Sequence, residues 1–453
     1  MPNRAIHFLL IVFTLMLCGT PGWSQSALLV ISLDGMRPDY VLKADEHGLK
    51  IPHLRRLLAD GAHASGVRGV LPTVTYPSHT TVLTGVWPNK HGIFSNIVTD
   101  PLAKNLDGWY WYAEDIKVPT LWEAAASAGM KVGSVSWPVS VGAKGVTYLI
   151  PEYWRAPKSS DDIKLLRAIS TPGLIHEIQK QAGLYVTDLD AGVDGDQQRT
   201  RYAVSILRDK KVQFMTVHLA ALDHIEHASG PFSTDANNAL EQLDKQVGEL
   251  EDAARSAYSN VTICVLSDHG FTRTDHRLNL LKPFVDAGLV TQDAAHKVTL
   301  WKAWPKTDGG SAAILLNDPR DEGTRAKVAE LLKRLAADPA NGINQVLDAK
   351  QIAAMGGSPE AAFWIDMKSN FSVIANQSPL VEVRKVGGAH GYLPSNPDLQ
   401  ASFFIAGPRI KRGLDLGLID MRSIAPTLAD SLGVRFTTGD LKALPVFSGA
   451  AGR

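Results

Sequence analysis

The chain has 453 residues, more than one ordinary core holds, so one large domain with a sizeable insertion, or two domains, is expected. Acidic and basic residues number 46 each, which removes any general attraction to nucleic acid or to an anionic membrane. With 45% of residues hydrophobic, the composition is that of a soluble globular protein.

Arg4 and His7 precede a run from Phe8 to Leu17 that is apolar apart from Thr14, and Gly19, Pro21 and Gly22 follow it. That pattern predicts a secretory signal peptide over residues 1–24, hence a periplasmic or secreted protein; the run is too short to span a bilayer. Once it is removed, Cys264 is the one remaining cysteine, and no internal disulfide can form. Ala27 to Leu33 reads as a strand buried on both faces and ends in Asp34-Gly35. Leu49 to Gly61 has helical spacing, with Pro52 suited to a first turn. Leu71 to Asn96 follows, holding Thr73, Thr75, Ser78, Thr80 and Thr81, a bend at Pro77 and then a helix-like run. An aromatic loop, Gly108 to Asp115, precedes a helix ending near Gly129 and a strand at Lys131 to Trp137. A helix-like run covers Ala203 to Asp209, strands cover Gln213 to Ala220 and Val261 to Leu266, and a long helix covers Asn237 to Ala257.

This alternation predicts an α/β fold: a doubly wound, mostly parallel sheet. The rhythm changes between Thr272 and Lys385, where a small α+β insertion is expected to cover the site as a cap. The catalytic domain is then 25–271 and 386–453, resuming with Ser402 to Gly407 and a helix at Ile424 to Gly433.

Three aspartates and three histidines fall where a parallel sheet would gather them. Asp34 follows the first strand, Asp223 follows the strand near Ala220 with His227 one helical turn on, and Asp268-His269 follow Leu266. His390 sits in a Gly-rich turn. Ligands of open α/β sheets bind beyond the carboxyl ends of the strands, so these side chains share one edge. Six such donors suit two catalytic metal ions of three ligands each, Zn²⁺ foremost, with Mn²⁺ or Fe fitting at one site. Two adjacent metals can stabilise the attacking and leaving oxygens of a phosphoryl displacement. His79, His91, His218, His224 and His276 lie near these motifs without a clear ligand role.

The stretch from Leu71 to Asn96, with I-S-L-D-G-M-R-P-D-Y before it and L-D-H-I-E-H-A-S-G-P, L-S-D-H-G-F and G-G-A-H-G-Y after it, resembles the nucleotide pyrophosphatase/phosphodiesterase family of the alkaline phosphatase superfamily. The resemblance covers nearly all of the mature chain and implies Thr75 as the nucleophile, a role that the hydroxyl-rich stretch alone leaves open. It also implies one zinc on Asp223, His227 and His390, and another on Asp34, Asp268, His269 and the Thr75 oxygen. Asn96 would donate to a non-bridging phosphate oxygen. The chain departs from the family at Ser78, where Asn is usual, and at Ala221-Leu222, where Glu-Pro is usual. A family member sandwiches its nucleobase between two aromatic walls; Tyr76 is the candidate for one, and Tyr153 or Trp154 for the other.

The expected activity is hydrolysis of a small phosphodiester or pyrophosphate through a phospho-threonine, with no nucleic-acid polymer implied. A threonine-type phosphomonoesterase or phosphonate hydrolase would share the metal set, and a non-catalytic metal- or phosphate-binding protein is the rival from another class.

Overall fold

The computed structural model describes residues 26–105, 108–154, 162–185, 192–376 and 379–449; the expected signal peptide lies outside them. The centre is an eight-stranded sheet. Its strands are β1 (Ala27–Leu33), β2 (Ala62–His63), β3 (Val132–Val135), β4 (Tyr148–Ile150), β5 (Phe214–Leu219), β6 (Val261–Leu266), β7 (Phe403–Ala406) and β8 (Leu414–Asp415). They lie in the order β8-β2-β7-β6-β1-β5-β3-β4. From β6 to β4 every neighbouring pair is parallel, as the strand–helix alternation predicts. β7 runs antiparallel to both β6 and β2.

β1 is apolar except for Ser32 and buried along its whole length because helices cover both faces of the sheet. On one face, α1 (Pro52–Asp60), α3 (Val193–Ser205), α4 (Ala221–Ser229) and α5 (Thr234–Ala257) share a core with Leu29, Ile31 and Val217. On the other, α2 (Thr75–Thr84) and α6 (Ile424–Leu432) pack with Leu28, Val30 and Phe403. At α1 the chain follows its sequence closely: Pro52 takes the first turn, where a missing N–H costs nothing. The run expected at Ala203 to Asp209 is the end of α3 and its continuation Ile206–Lys210.

Pro77 does not bend the chain ahead of a helix. The helix starts two residues earlier, at Thr75, and Pro77 sits in its first turn, where its lack of an N–H removes no intrahelical bond. Thr75 thereby becomes a helix N-terminal residue.

Between β6 and β7 the chain builds a four-stranded antiparallel sheet in the order Ala303–Thr307, Ser311–Leu316, Ala361–Met367, Ile343–Asp348, with the helix Glu322–Ala337 packed beside it. A three-stranded sheet of Phe371–Ile374, Thr272–Asn279 and Val381–Ala389 leads back towards His390. These parts have an apolar core of their own around Leu278, Ile314, Leu332 and Ile365.

Candidate active site

The strand ends deliver the side chains as parallel-sheet geometry requires. Asp34 leaves β1 and Asp268 leaves β6, its neighbour in the sheet. Asp268 Oδ1 accepts the backbone N–H of His269 at 2.9 Å and of Gly35 at 3.2 Å, while Oδ2 has no hydrogen-bond partner and stands 3.1 Å from His269 Nε2. Asp34 Oδ1 is also without a partner, 3.4 Å from the same nitrogen. Asp223, on the first turn of α4, points an unpartnered Oδ1 to within 3.5 Å of His227 Nε2 and 3.6 Å of His390 Nε2.

The three imidazoles are oriented alike. Nδ1 of His269 faces the Gly270 carbonyl, that of His227 the Gly388 carbonyl and that of His390 the Thr73 carbonyl. A carbonyl oxygen only accepts, so each Nδ1 carries a proton and each Nε2 faces the carboxylates. Burial, and then neighbouring imidazoles, hold His269 and His390 well below the usual histidine value, so they remain neutral donors. Burial together with the Asp268 and Asp223 charges lifts Asp34 well above the usual carboxylate range, and burial lifts Asp223. Three buried, unpartnered carboxylate oxygens facing neutral imidazole lone pairs form a donor set that fits divalent cations.

Two three-residue groups have donor atoms within 4.8 Å of one another: Asp34, Asp268 and His269, and Asp223, His269 and His390. His269 belongs to both. His227, expected in the second group, keeps its contact with Asp223 but is the most exposed of the set, with a side chain 44% exposed.

Thr75 Oγ1 stands 3.5 Å from His269 Nε2, beside the first group. The other hydroxyls of its stretch are turned elsewhere. Thr73 donates to the Tyr392 carbonyl, Thr80 to the Tyr76 carbonyl, Thr81 meets His91, and Ser78 is fully buried. Thr75 alone of the five is on the wall of the adjoining cavity, a space of about 350 Å³. Asn96 reaches the same cavity, and its Oδ1 accepts the Tyr76 backbone N–H at 2.9 Å.

Two partly exposed aromatic rings, Trp109 and Trp154, complete the wall; Tyr76, named from the sequence as a wall, borders the cavity but its side chain is fully buried. Trp109 stands edge-on to Tyr76 and to Trp154, with ring centroids 5.4 and 4.8 Å away. Tyr153, named from the sequence for this role, is not on the wall; it leans on Trp111 and on the sheet core, and the adjacent Trp154 takes the position. None of the described residues of 272–385 is among those that line the cavity. The segment touches the site's surroundings: Gly310 N–H donates to the His390 carbonyl at 2.7 Å, and Asp308 accepts the hydroxyl of Ser95, next to Asn96.

Of the histidines left open, His79 bridges the Thr75 carbonyl and Ser32, and burial pushes it down to about 3. His91 is buried against Thr81, His224 lines the cavity, and His276 pairs with Asp275 away from it. His218 matters most: it lies 2.9 Å from Asp34 Oδ2 and 2.9 Å from Glu152 Oε2. Burial alone would lower its pKa, but the two carboxylates bonded to it raise it well above the usual value. Neither His218 nor Glu152 belongs to a motif. The available signal was a titratable residue inside the mostly apolar, fully buried strand F-M-T-V-H-L. Arg199, buried and bonded to Asp196 at 2.6 Å, also reaches the cavity wall.

A mostly parallel α/β sheet with acidic strand ends thus sets the Thr75 hydroxyl, at a helix N-terminus, beside this aspartate–histidine cluster. The family model for type I phosphodiesterase / nucleotide pyrophosphatase matches residues 28–393, and the chain belongs to that family. Mouse ectonucleotide pyrophosphatase/phosphodiesterase family member 7 is 23% identical over 426 residues, covering 92% of this chain and 85% of the relative. Mouse family member 3 is 26% identical over 266 residues, covering 56% of this chain but 26% of its own length, so the chain spans only about a quarter of that longer protein. The solved structure of human ectonucleotide pyrophosphatase/phosphodiesterase 5 superposes with a TM-score of 0.65 at 19% identity, covering 93% of this chain and 97% of that one, which shows the shared fold. Among the described residues no helix is long and apolar enough to cross a membrane.

Proposed function

We propose that this protein is an exported two-zinc hydrolase that cleaves phosphodiester or pyrophosphate bonds of nucleotide-like substrates by way of a covalent intermediate on Thr75. The observation that carries the reading is the convergence of unpartnered oxygens from Asp34, Asp223 and Asp268 on the imidazole nitrogens, one of which, His269 Nε2, lies 3.5 Å from the Thr75 hydroxyl. Asp34, Asp268 and His269 would hold one ion beside Thr75, and Asp223, His390 and His227 the other, with His269 between them. Bound zinc supplies positive charge that makes a hydroxyl, and later a water, a competent nucleophile.

The chain's own groups do the rest. Thr75 Oγ1 attacks phosphorus in line with the departing ester oxygen, so the P–O bond to the leaving group breaks as the Thr75 ester forms. Asn96 has its carbonyl end occupied by Tyr76 N–H, which orients its NH₂ to donate to a non-bridging oxygen. The N-terminus of α2 adds a favourable field for the same negative charge. Water then cleaves the Thr75 ester and restores the hydroxyl. Trp109 and Trp154 offer flat apolar surface to a base or an aromatic ester group. Export rests on the apolar run from Phe8 to Leu17.

Arg199 on the cavity wall favours one second reading, a phosphomonoesterase, because a guanidinium suits the additional charge of a monoester. Turnover of the purified protein on an aryl phosphodiester against the matching monoester separates the two. Diester preference is expected; equal or greater monoester turnover would overturn the diesterase reading.

A further inference from the structure

Behind Asp34 lies a line of buried polar side chains. The register of β1 and β5 sets Ser32 beside His218, and strand alternation puts Asp34, two residues past Ser32, on the same face. His218 Nε2 is 2.9 Å from Asp34 Oδ2. Its Nδ1 is 2.9 Å from Glu152 Oε2 and 3.0 Å from the Ser136 carbonyl. Ser136 has a φ of 54°, a left-handed conformation that is costly for a residue with a side chain and that recurs where a functional site requires it. Glu152 Oε1 accepts the Tyr76 hydroxyl at 2.6 Å. Tyr76, Glu152 and His218 are all buried.

The two oxygens of Asp34 are thereby given different tasks. Oδ2 is engaged by His218, while Oδ1 has no hydrogen-bond partner and faces His269 Nε2 at 3.4 Å. A buried polar network is stable only when its members are satisfied, and along this line the unsatisfied atom is the one facing the donor cluster. We propose that His218 is a positioning residue for Asp34: it donates to Oδ2 so that Oδ1 is presented to a divalent cation, and Glu152 and the Ser136 carbonyl hold the imidazole in that orientation. The inference rests on the two-metal reading of the site. Through Glu152 the same line of hydrogen bonds joins Asp34 to Tyr76, which supports Trp109 from behind.

The test is zinc binding to chelator-stripped protein, by competition with a chromogenic chelator, in the wild type, His218→Gln and His218→Asn, with circular dichroism to verify folding. A Gln amide reaches Asp34 and the shorter Asn amide does not. His218→Asn is expected to weaken one zinc site by roughly 10- to 100-fold, the usual cost of losing a group that orients a metal ligand, and His218→Gln to recover most of that loss. Wild-type affinity in folded His218→Asn, or equal losses in both variants, would overturn the positioning role while leaving the two-metal reading standing. Failure of the wild type to take up zinc would overturn both. Should His218→Asn not fold, Glu152→Ala, which releases His218 without touching Asp34, carries the same comparison: loss of affinity supports the role and unchanged affinity overturns it.

Discussion

Asn96 Oδ1 accepts the backbone N–H of Tyr76 at 2.9 Å, which leaves the amide NH₂ as the end that would donate to substrate in the proposed mechanism. Asn96→Asp keeps an oxygen for Tyr76 N–H but replaces the donating NH₂ with a second oxygen that repels phosphate. The expected result is a folded protein whose kcat falls by roughly 10²- to 10³-fold, the scale for losing one donor to a developing oxyanion. Steady-state kinetics on an aryl diester check it.

The aromatic wall makes a prediction about neighbours. Trp154→Ala is expected to cost roughly 1–3 kcal/mol of binding to a substrate bearing a nucleobase, about a 5- to 150-fold rise in KM. Tyr153→Ala, which removes a ring from the Trp111 side, is expected to lower the urea midpoint and to leave KM nearly unchanged. A larger KM effect from Tyr153 than from Trp154 would reverse the assignment.

Removing metal is expected to soften the fold as well as stop turnover, because the buried oxygens of Asp34, Asp223 and Asp268 then repel one another without compensation. Chelation should lower Tm, and zinc at a hundred times its Kd should restore about 2.7 kcal/mol by mass action. An unchanged Tm after verified chelation would contradict the donor-set reading.

Asp244 separates stability from catalysis. From α5 its carboxylate accepts the backbone N–H groups of His53 and Leu54 at 3.1 and 2.8 Å, satisfying the N-terminus of α1. Asp244→Ala leaves both donors unpaired and is expected to cost roughly 2–3 kcal/mol of stability in urea denaturation, with kcat and KM unchanged at a temperature where the protein stays folded.

The fold was legible in the sequence because apolar runs alternating with helical spacing call for a parallel sheet, whereas each Asp after such a run is, taken alone, as natural in a turn. Asp34, Asp268 and His269 were readable only together, from their shared place at strand ends, and the D-x-x-x-H spacing brought Asp223 and His227 to one side of α4. The antiparallel run of β7 was not readable, since F-F-I-A is apolar in either direction and only pairing with β6 and β2 sets its sense. Tyr153 and Trp154 could not be told apart, because one residue of register turns a side chain from core to cavity. The insertion's hydrogen bonds to His390 and to Ser95 beside Asn96, and the line from Tyr76 to His218, depend on contacts between residues far apart in the chain, which spacing does not encode.

The central claim is that Thr75 itself takes the phosphoryl group. The most direct test is acid quenching of the protein during turnover of an aryl phosphodiester, followed by peptide mass spectrometry. The expected result is the substrate's remaining phosphoryl ester on the peptide containing Thr75, its absence from Thr75→Ala, and a loss of turnover in that variant of roughly 10⁴-fold or more, as when a nucleophile is removed. Thr75→Ala turning over at the wild-type rate, or the adduct appearing on another residue, would contradict it.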